Sequence, residues 1–415
     1  MFIKNSCIVV IALLTGFCRL QAGQSPTFYR ALEFYTDNRL DSAEVMFAEA
    51  AIENGSDPIT LSWYAECLRR NSKTDIALKI AFRALQFDSC NSMACGTIAD
   101  VMSPQFREHS LANRDSSLAY NLRGVKCDST NGNIWCSIWS HAVSEDNENL
   151  AKQAIQRLYQ CNFLTPAVLE QNRFYLESLP KDAILLTNGD FDTYPGLALQ
   201  LVKGLRPDVA IVNTSMLNLP AYGKFVSRTN SIPDAFPNGG WSMIEYRWDD
   251  TLLVTIAQQV IAKWTEMAAT GQLKRPLAAC ITTAASSLPS GFYDKCSWKG
   301  PYFLWDKSAQ AETDDALAAR KSIENVDFVL ACGRTAAKQD YSAIHIYASK
   351  NRIMGQNLLQ VVKRIFDVEV ETGECSEAAH DLSRLEKAIS ETDSRSAWSD
   401  VLSDMQSRLE AKCPN

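Results

Sequence analysis

Two aspartates that follow a short apolar run are the residues of this chain whose type and spacing best suit chemistry. The run AILLT occupies residues 183–187, and Asp190 and Asp192 lie just beyond it, separated by one residue. Two carboxylates at this spacing can present hard oxygen ligands to Mg²⁺, Mn²⁺ or Ca²⁺. Asp190 and Asp192 are therefore candidate metal ligands. The wider candidate ligand-binding loop contains five residues: Asn188, Gly189, Asp190, Asp192 and Thr193.

The same loop also has a purely structural interpretation. Asn188 and Gly189 are typical of a turn, because glycine readily supplies a positive φ. Thr193 is suited to cap the N-terminus of a following helix, and Pro195 fits the first turn of that helix. A carboxylate near the positive helix end gains roughly 0.3–1 kcal/mol without any ligand. The residues thus leave three interpretations open, a metal or polar-ligand site, a capped turn and a partner-binding loop.

The elements around this loop predict an α/β domain. Apolar runs typical of buried strands alternate with helical spacing, which indicates a mostly parallel sheet covered on both faces. The predicted strands are 183–187, 208–217, 276–284, 302–305 and 326–333, the predicted helices include 197–205 and 250–271, and 227–249 is a long loop. In open α/β sheets ligands bind beyond the carboxyl ends of the strands, where Asp190 and Asp192 are expected. Arg206 and Asp208 precede the second strand, at the opposite edge, and are predicted to form a structural salt bridge.

A repeat in the first half predicts stacked helices. Ala31, Ala65 and Ala99 are each 34 residues apart. In a second series, Ala43 and Ala77 are 34 residues apart and so are Ser117 and Ala151, whereas 40 residues separate Ala77 from Ser117. The first series shows no such gap, so six extra residues must fall between Ala99 and Ser117.

A period of 34 with two small residues 12 apart resembles the tetratricopeptide family over roughly residues 25–166. That resemblance implies units of two antiparallel helices which cross closely at the small residues. Two positions depart from the family pattern, because Trp139 replaces a small residue and Asn121 an apolar one. The family commonly binds a peptide or another protein on one face of the array. The alternative is that a short array packs only against its own chain.

A second resemblance covers residues 179–217. The motif reads GDFDTYP, then a helix, then RPDV, and the residues that fit the family pattern are Gly189, Asp190, Asp192, Thr193, Pro195, Arg206, Pro207, Asp208 and Val209. This segment is similar to the extramembrane C-terminal region of a multi-spanning, glycosyltransferase-like membrane family best known from Bacteroidetes. Phe191 and Tyr194 replace the family's Asn and Phe. The family's transmembrane half, where glycosyl transfer is expected, has no counterpart here, so the resemblance implies an extramembrane module rather than the transferase activity.

The beginning of the chain predicts export. Lys4 precedes an apolar stretch of about a dozen residues and a small residue at Ala22, the pattern of a secretory signal peptide. An uncleaved anchor is the alternative, and the sequence before Cys18 disfavours lipid attachment there. No later run of 18 apolar residues occurs, so no integral span is expected after signal removal. The expected location is exported, periplasmic or associated with the cell envelope.

Composition excludes some classes of function. The net charge is −7 over 415 residues, and no basic stripe suggests a nucleic-acid partner. The sequence contains 13 cysteines, and 11 of them follow the predicted signal peptide. Their odd number and irregular spacing argue against a disulfide framework. The sequence contains no G-x-S-x-G elbow, Walker loop or G-x-G-x-x-G, and therefore no catalytic residue is identified.

The predicted organisation is a signal peptide over 1–22, tetratricopeptide-like helical repeats over 25–170, an α/β domain over 178–340 and C-terminal helices over 341–415. The favoured function is a non-catalytic exported scaffold or binding protein, whose repeats bind a protein or peptide in the cell envelope and need no cofactor. The alternative is an enzyme or ligand-binding domain that acts on glycosyl or phosphoryl substrates through Asp190 and Asp192 with Mg, Mn or Ca. The residues alone leave enzyme activity open.

Overall fold

The computed structural model describes residues 24–104, 110–249, 252–306, 320, 323–328, 344–391 and 395–414. The predicted signal peptide, with Lys4, Cys18 and Ala22, lies outside these residues. Across the described ranges, none of the helices combines the length and apolarity needed to cross a bilayer. The chain forms two compact units, the first reaching Ile134 and the second beginning at Trp135. The domain boundaries expected near residues 170–178 and 340 stay predictions.

The first unit is an array of antiparallel helices. Its described helices are α1 (Pro26–Thr36), α2 (Leu40–Glu53), α3 (Pro58–Arg70), α4 (Thr74–Phe87), α5 (Ser92–Met102) and α6 (Arg114–Cys127). The small residues Ala31, Ala65 and Ala99 are completely buried, as close helix crossing requires. Because α5 ends at Met102 and α6 begins at Arg114, the extra residues fall in the predicted interval. The predicted repeat array is confirmed.

The helix caps repeat with the same period as the small residues. Asp57, Asn91 and Asn131 each accept a hydrogen bond from the backbone N–H three residues later, at 2.7, 2.8 and 3.4 Å. These positions are separated by 34 and then by 40 residues, so the caps carry the insertion too. Asn121, the polar departure in α6, is buried.

Two disulfides, Cys90–Cys127 and Cys375–Cys413, contradict the argument from cysteine spacing. Cys90 lies just beyond α4 and Cys127 ends α6, so helix stacking brings together residues that are 37 positions apart. An odd number of cysteines does not prevent some of them from pairing. The interpretation of the spacing was therefore wrong.

The second unit contains a five-stranded mixed sheet. Its strands are β1 (Ile184–Thr187), β2 (Ala210–Asn213), β5 (Leu277–Cys280), β6 (Cys296–Trp298) and β7 (Tyr302–Trp305), in the order β2-β1-β5-β7-β6. β1 is parallel to both β2 and β5, and these three strands are buried at every position. β7 pairs antiparallel with β5, and β6 pairs antiparallel with β7 at the edge of the sheet. The α/β architecture is confirmed, with its parallel part centred on β1.

Helices cover this sheet. They are α7 (Gly132–Ser144), α8 (Glu148–Gln160), α9 (Pro166–Ser178), α10 (Asp190–Lys203), α11 (Pro220–Thr229), α12 (Ile256–Ala269), α13 (Ile344–Thr372), α14 (Cys375–Ser390) and α15 (Arg395–Lys412). Residues of α9, the parallel strands and the last helices share one hydrophobic core, among them Phe174, Leu185, Phe366 and Leu385. The predicted C-terminal helices are confirmed.

Trp139 explains one departure from the repeat pattern. Its ring packs edge-on against Tyr194 of α10 and Tyr222 of α11, with centroid distances of 5.1 and 5.9 Å. A small residue at this position would leave both tyrosines without their aromatic neighbour. The large side chain therefore attaches α7 to the helices of the sheet.

Two predicted elements differ from the structure. The predicted helix 250–271 begins only at Ile256, since Thr255 and Gln258 form a reciprocal capping box there. The residues before it form strand β4 (Leu252–Val254), which pairs antiparallel with β3 (Arg247–Asp249). In the predicted strand 326–333, residues 326–328 are not extended in a sheet, and the remainder lies outside the described residues.

Candidate functional site

The three parallel strands end in polar side chains at the same edge of the sheet. These residues follow or end β1, β2 and β5: Thr187, Asn188, Asn213, Thr214, Thr282 and Thr283. After β1 the chain continues to β2 on one side of β1, and β5 lies on the other side. The loops that follow β1 and β5 therefore meet at this edge. Such a switch point is where open α/β sheets bind ligands. We call this group, together with Asp192 and Thr193, the carboxyl-edge cluster.

Asp192 lies at the centre of the carboxyl-edge cluster. Its side chain is 4% exposed, and its two oxygens accept hydrogen bonds from the backbone N–H groups of Asn188 and Gly189, both at 2.8 Å. The Thr282 hydroxyl, which comes from the loop after β5, donates to the same carboxylate. The bonds from Asn188 and Gly189 cap the start of α10. The bond from Thr282 links the loop after β5 to the first turn of α10.

The electrostatics of Asp192 reflect this burial. Loss of water contact raises the pKa of the Asp192 carboxyl, while the donors Thr282, Asn188 and Gly189 act in the opposite direction. A buried carboxylate needs such partners, because an unpaired charge away from water is costly. The three donors therefore account for the presence of an acid at this position without a ligand.

Asp190 lies in a different environment. It is the first residue of α10 and is exposed, whereas Asp192 points into the protein. Across the described ranges, no group of three or more His, Cys, Asp or Glu side chains is arranged to hold a metal ion. Metal binding by Asp190 and Asp192 stays a prediction, and it would have to compete with the bonds that Asp192 already accepts.

Gly189 and Thr193 have roles that differ from those inferred from the sequence. The N-cap residue of α10 is Gly189, whose φ of −163° is extended, so this turn does not use the positive φ that glycine allows. Thr193 lies in the first turn of α10, where its hydroxyl donates to the Gly189 carbonyl at 2.6 Å. Thr193 Oγ1 also lies 2.6 Å from Thr187 Oγ1. The helix begins three residues before the position at which Thr193 was expected to cap it.

Asn188 connects the loops on both sides of β1. Its side-chain oxygen accepts from the Ala284 N–H at 3.2 Å, and its carbonyl accepts from the Ser215 hydroxyl at 3.0 Å. The neighbouring Thr214 hydroxyl donates to the Thr187 carbonyl, and the Thr283 hydroxyl donates to the Leu186 carbonyl, both at 2.9 Å. These bonds fasten the loops after β2 and β5 to the end of β1.

Pro195 requires a partner from another helix. Proline has no N–H, so the carbonyl of Phe191, four residues earlier in α10, lacks its helical donor. The buried side chain of Asn172 in α9 donates to this carbonyl at 2.8 Å. The next residue of α10, Gly196, lets the helix approach β2, since a Cβ there would lie 2.7 Å from Ile211 Cδ1.

Two arginines fasten the opposite edge of the strands. Arg206 forms a two-pronged pair with Asp208 at 2.8 and 2.9 Å and also donates to the carbonyls of Leu176, Leu179 and Pro180. The pair confirms the structural salt bridge expected from the sequence, and it holds the pKa of the Asp208 carboxyl well below its usual range.

Arg275 makes a second set of such bonds. Its guanidinium donates to the carbonyls of Asp182 and Asp208 at 2.8 and 2.6 Å, just before β1 and β2 begin. Sequence reasoning missed Arg275, Asn172 and Thr282. Thr282 and Thr283 lay inside the predicted strand 276–284, whereas β5 ends at Cys280, so the overlong strand hid their position at the carboxyl edge. Nothing local marked Asn172 or Arg275.

Part of the second unit is similar to known proteins. Residues 169–287 match the family described as TMEM260-associated domain 2. A relative from Mus musculus, Protein O-mannosyl-transferase TMEM260, is 35% identical over 101 residues. That similarity covers 23% of this chain and 14% of the relative, and therefore concerns one part of each protein. The family match begins in α9 and ends after Thr283, so it includes both fastened edges of the parallel strands.

Proposed function

We propose that this chain is an exported, non-catalytic binding protein that acts in a glycosylation context, with the α/β module as its rigid platform. The context comes from the part of the module that is similar to an O-mannosyl-transferase of mouse. The observation that carries the proposal is the state of Asp192, whose two oxygens accept hydrogen bonds from three protein donors. A carboxylate engaged in this way supports a structural role for the loop. The module resembles the extramembrane region of glycosyltransferase-like proteins best known from Bacteroidetes.

The helical array supplies a candidate binding face. The side chain of Glu66 in α3 accepts from Tyr35 of α1 at 3.3 Å and from Thr97 of α5 at 3.3 Å. Arg69 makes two bonds of 2.7 Å to Glu66 and lies 3.7 Å from Asp100 of α5. This network runs across the first helices of three successive tetratricopeptide-like units, and its charged groups are partly exposed. It supports recognition of a polar peptide or protein segment.

The two disulfides support the proposed location. Structural disulfides form and persist in oxidising compartments and are rare in the cytosol. Cys90–Cys127 and Cys375–Cys413 therefore favour export to the periplasm or cell envelope, as the N-terminal sequence predicts.

The second candidate function is a divalent-metal-dependent enzyme acting on glycosyl or phosphoryl substrates. One observation favours it, namely that Asp190 is exposed at the N-terminus of α10, on the sheet edge where ligands of such folds bind. In that case Asp190 and Asp192 would hold Mg²⁺, Mn²⁺ or Ca²⁺, and Asp192 would have to exchange its protein donors for the ion.

Calorimetric titration of the mature protein with Mg²⁺, Mn²⁺ and Ca²⁺ separates the two functions. We expect no saturable heat from the wild type or from Asp190→Ala. Stoichiometric heat that disappears in Asp190→Ala would overturn the non-catalytic proposal and support the enzyme.

Affinity capture tests the binding face. We expect the wild type to recover a reproducible envelope protein that Arg69→Ala loses and Lys79→Ala keeps, because Lys79 is exposed on α4, outside the network. Equal capture by both variants would count against the Glu66–Arg69 face.

A further inference from the structure

The hairpin formed by β3 and β4 exposes an unusual amount of apolar surface. It lies between α11 and α12 and is separate from the main sheet. Its large apolar side chains are exposed as follows: Met243 82%, Tyr246 49%, Trp248 70%, Leu252 70% and Leu253 45%. Exposure of several large apolar side chains within one short segment favours an interaction surface.

The base of the hairpin is firmly attached. Trp241 is buried against Gly223 of α11, where a Cβ would lie 2.3 Å from the indole ring, and its Nε1 donates to Asp234. After the hairpin, the Gln259 side chain of α12 donates to the Glu245 carbonyl at 2.9 Å. These contacts attach the segment that precedes β3 to α11 and α12.

β3 is an open edge with a self-complementary sequence. Among the described residues it pairs with β4 alone, so its other side has no strand partner. Its three residues are all exposed. In order they are the positively charged Arg247, the aromatic Trp248 and the negatively charged Asp249. An antiparallel copy of the same strand, centred on Trp248, would place each Arg247 opposite Asp249 of the other copy.

We propose that the occupant of this surface is a second copy of the chain, paired β3 to β3 around a two-fold axis at Trp248. The two hairpins then form a four-stranded antiparallel sheet with two Arg247–Asp249 pairs and one Trp248–Trp248 pair across the axis. Opposite charges and aromatic pairs are the cross-strand neighbours that stabilise antiparallel sheets. A two-fold arrangement of this kind is self-complementary and closes at two copies, which matches the commonest symmetry of soluble oligomers.

The same pairing merges the apolar faces. Trp248 and Leu253 are cross-strand neighbours in the hairpin and therefore lie on one face of it. In the paired form, the Trp248 and Leu253 side chains of both copies make one continuous apolar face. Charge complementarity along this edge favours a second copy over a lipid surface, because only a copy places a cation opposite Asp249.

Sedimentation equilibrium of the full mature chain over a wide concentration range tests the proposal. We expect a monomer–dimer equilibrium that is weakened at least tenfold by Arg247→Asp and by Asp249→Arg, since each change places like charges opposite one another. The double variant Arg247→Asp/Asp249→Arg restores the wild-type dissociation constant, because the inverted pattern is again self-complementary. An equimolar mixture of the two single variants forms the heterodimer. Lys79→Glu, a charge reversal at an exposed site in the first unit, leaves the equilibrium unchanged.

Several outcomes would overturn the pairing. The chain could stay monomeric at every concentration, or the double variant could dimerise as weakly as the single ones. In a third outcome, the protein is monomeric and floats with zwitterionic vesicles, and the Trp248→Ala variant no longer floats. That result would assign the hairpin to a membrane surface and overturn self-pairing.

Discussion

Asp192 shows at the residue scale how surroundings decide the role of a side chain. By type and spacing it is a candidate metal ligand, yet it is buried and accepts bonds from Asn188, Gly189 and Thr282. Asp190, two positions earlier, is exposed to water. The two carboxylates share a motif and differ in their access to water.

Substituting each aspartate by asparagine separates these roles. Asp192→Asn places an amide N–H₂ against backbone donors and should lower the free energy of unfolding by about 2–3 kcal/mol. Asp190→Asn, the matched control, removes an exposed charge near the helix N-terminus and should cost less than about 1 kcal/mol. Urea denaturation measures both. Equal losses in the two variants would show that the buried cap is not what makes Asp192 necessary.

Glu369 is a second buried acid, located in α13. Its side chain is fully buried, and Arg320 Nη1 lies 2.8 Å from its Oε1. Burial raises the pKa of Glu369 to about 7, and the nearby Asp381, Glu374 and Glu377 carboxyls act in the same direction. Arg320 opposes this shift without cancelling it. The protonated form of Glu369 is therefore the better fit to the folded protein.

The pKa of Glu369 predicts a pH dependence. Its ordinary value is 4.5 and its folded value is about 7, so its contribution to stability is complete below pH 4.5 and is lost as pH rises through 7. Glu369→Gln should flatten that slope and raise the free energy of unfolding at pH 8 by on the order of 1–3 kcal/mol. Urea unfolding from pH 4 to pH 8 measures the slope. Glu386→Gln, an exposed acid on α14, should change nothing, and an unaltered slope in Glu369→Gln would contradict the assignment.

At the scale of elements, α10 depends on its neighbour α9. Pro195 removes the donor for the Phe191 carbonyl, and Asn172 of α9 replaces it. Helix boundaries follow similar local rules. Thr255 and Gln258 start α12 at Ile256, so the apolar Leu252–Val254 segment joins a hairpin instead of the helix.

A double-mutant cycle tests whether the Asn172 side chain replaces the backbone N–H that Pro195 lacks. Asn172→Leu removes the Asn172 hydrogen bond to the Phe191 carbonyl and should destabilise the protein by about 1–3 kcal/mol. Adding Pro195→Ala supplies a backbone N–H four residues after Phe191 and should recover roughly 1 kcal/mol of that loss. Urea denaturation of the wild type, both single variants and the double variant gives the coupling energy. Strictly additive losses of stability would contradict this replacement of one donor by the other.

At the scale of the whole molecule, the described part of each compact unit contains one disulfide. Cys90–Cys127 joins the end of α6 to the turn after α4 in the first unit. Cys375–Cys413 joins the start of α14 to the residue after α15 in the second unit. The two cross-links close loops of similar length, 37 and 38 residues apart, and so constrain each unfolded unit to a similar degree.

Removing a cross-link should reveal its contribution. Loop-closure entropy predicts that Cys90→Ser/Cys127→Ser lowers the free energy of unfolding of the first unit by about 4 kcal/mol. Thermal and urea unfolding with and without reductant measure this loss. Cys67→Ser, at a buried cysteine that forms no disulfide, is the control whose unfolding should keep its sensitivity to reductant. Reductant without effect on the wild type would refute the two cross-links.

The sequence by itself determined the features that depend on local periodicity. The 34-residue spacing of buried alanines located the helical array and its insertion. The apolar runs located β1, β2 and β5, because burial on both faces leaves a continuous apolar signal in parallel strands. A short aromatic and apolar run located β7. The salt bridge between Arg206 and Asp208 was likewise visible, since its two members lie two residues apart.

Only the tertiary structure decided the features that depend on contacts between distant residues. Thr282 reaches Asp192 from 90 positions away, Asn172 reaches Phe191 across two helices, and Cys90 meets Cys127 through helix stacking. Whether β7 runs parallel or antiparallel, and whether Leu252–Val254 is helix or strand, also depended on neighbours that no short pattern specifies. The role of the aspartate loop belongs to this second group. A carboxylate's chemistry is set by the donors and water around it, and chain folding brings those donors together.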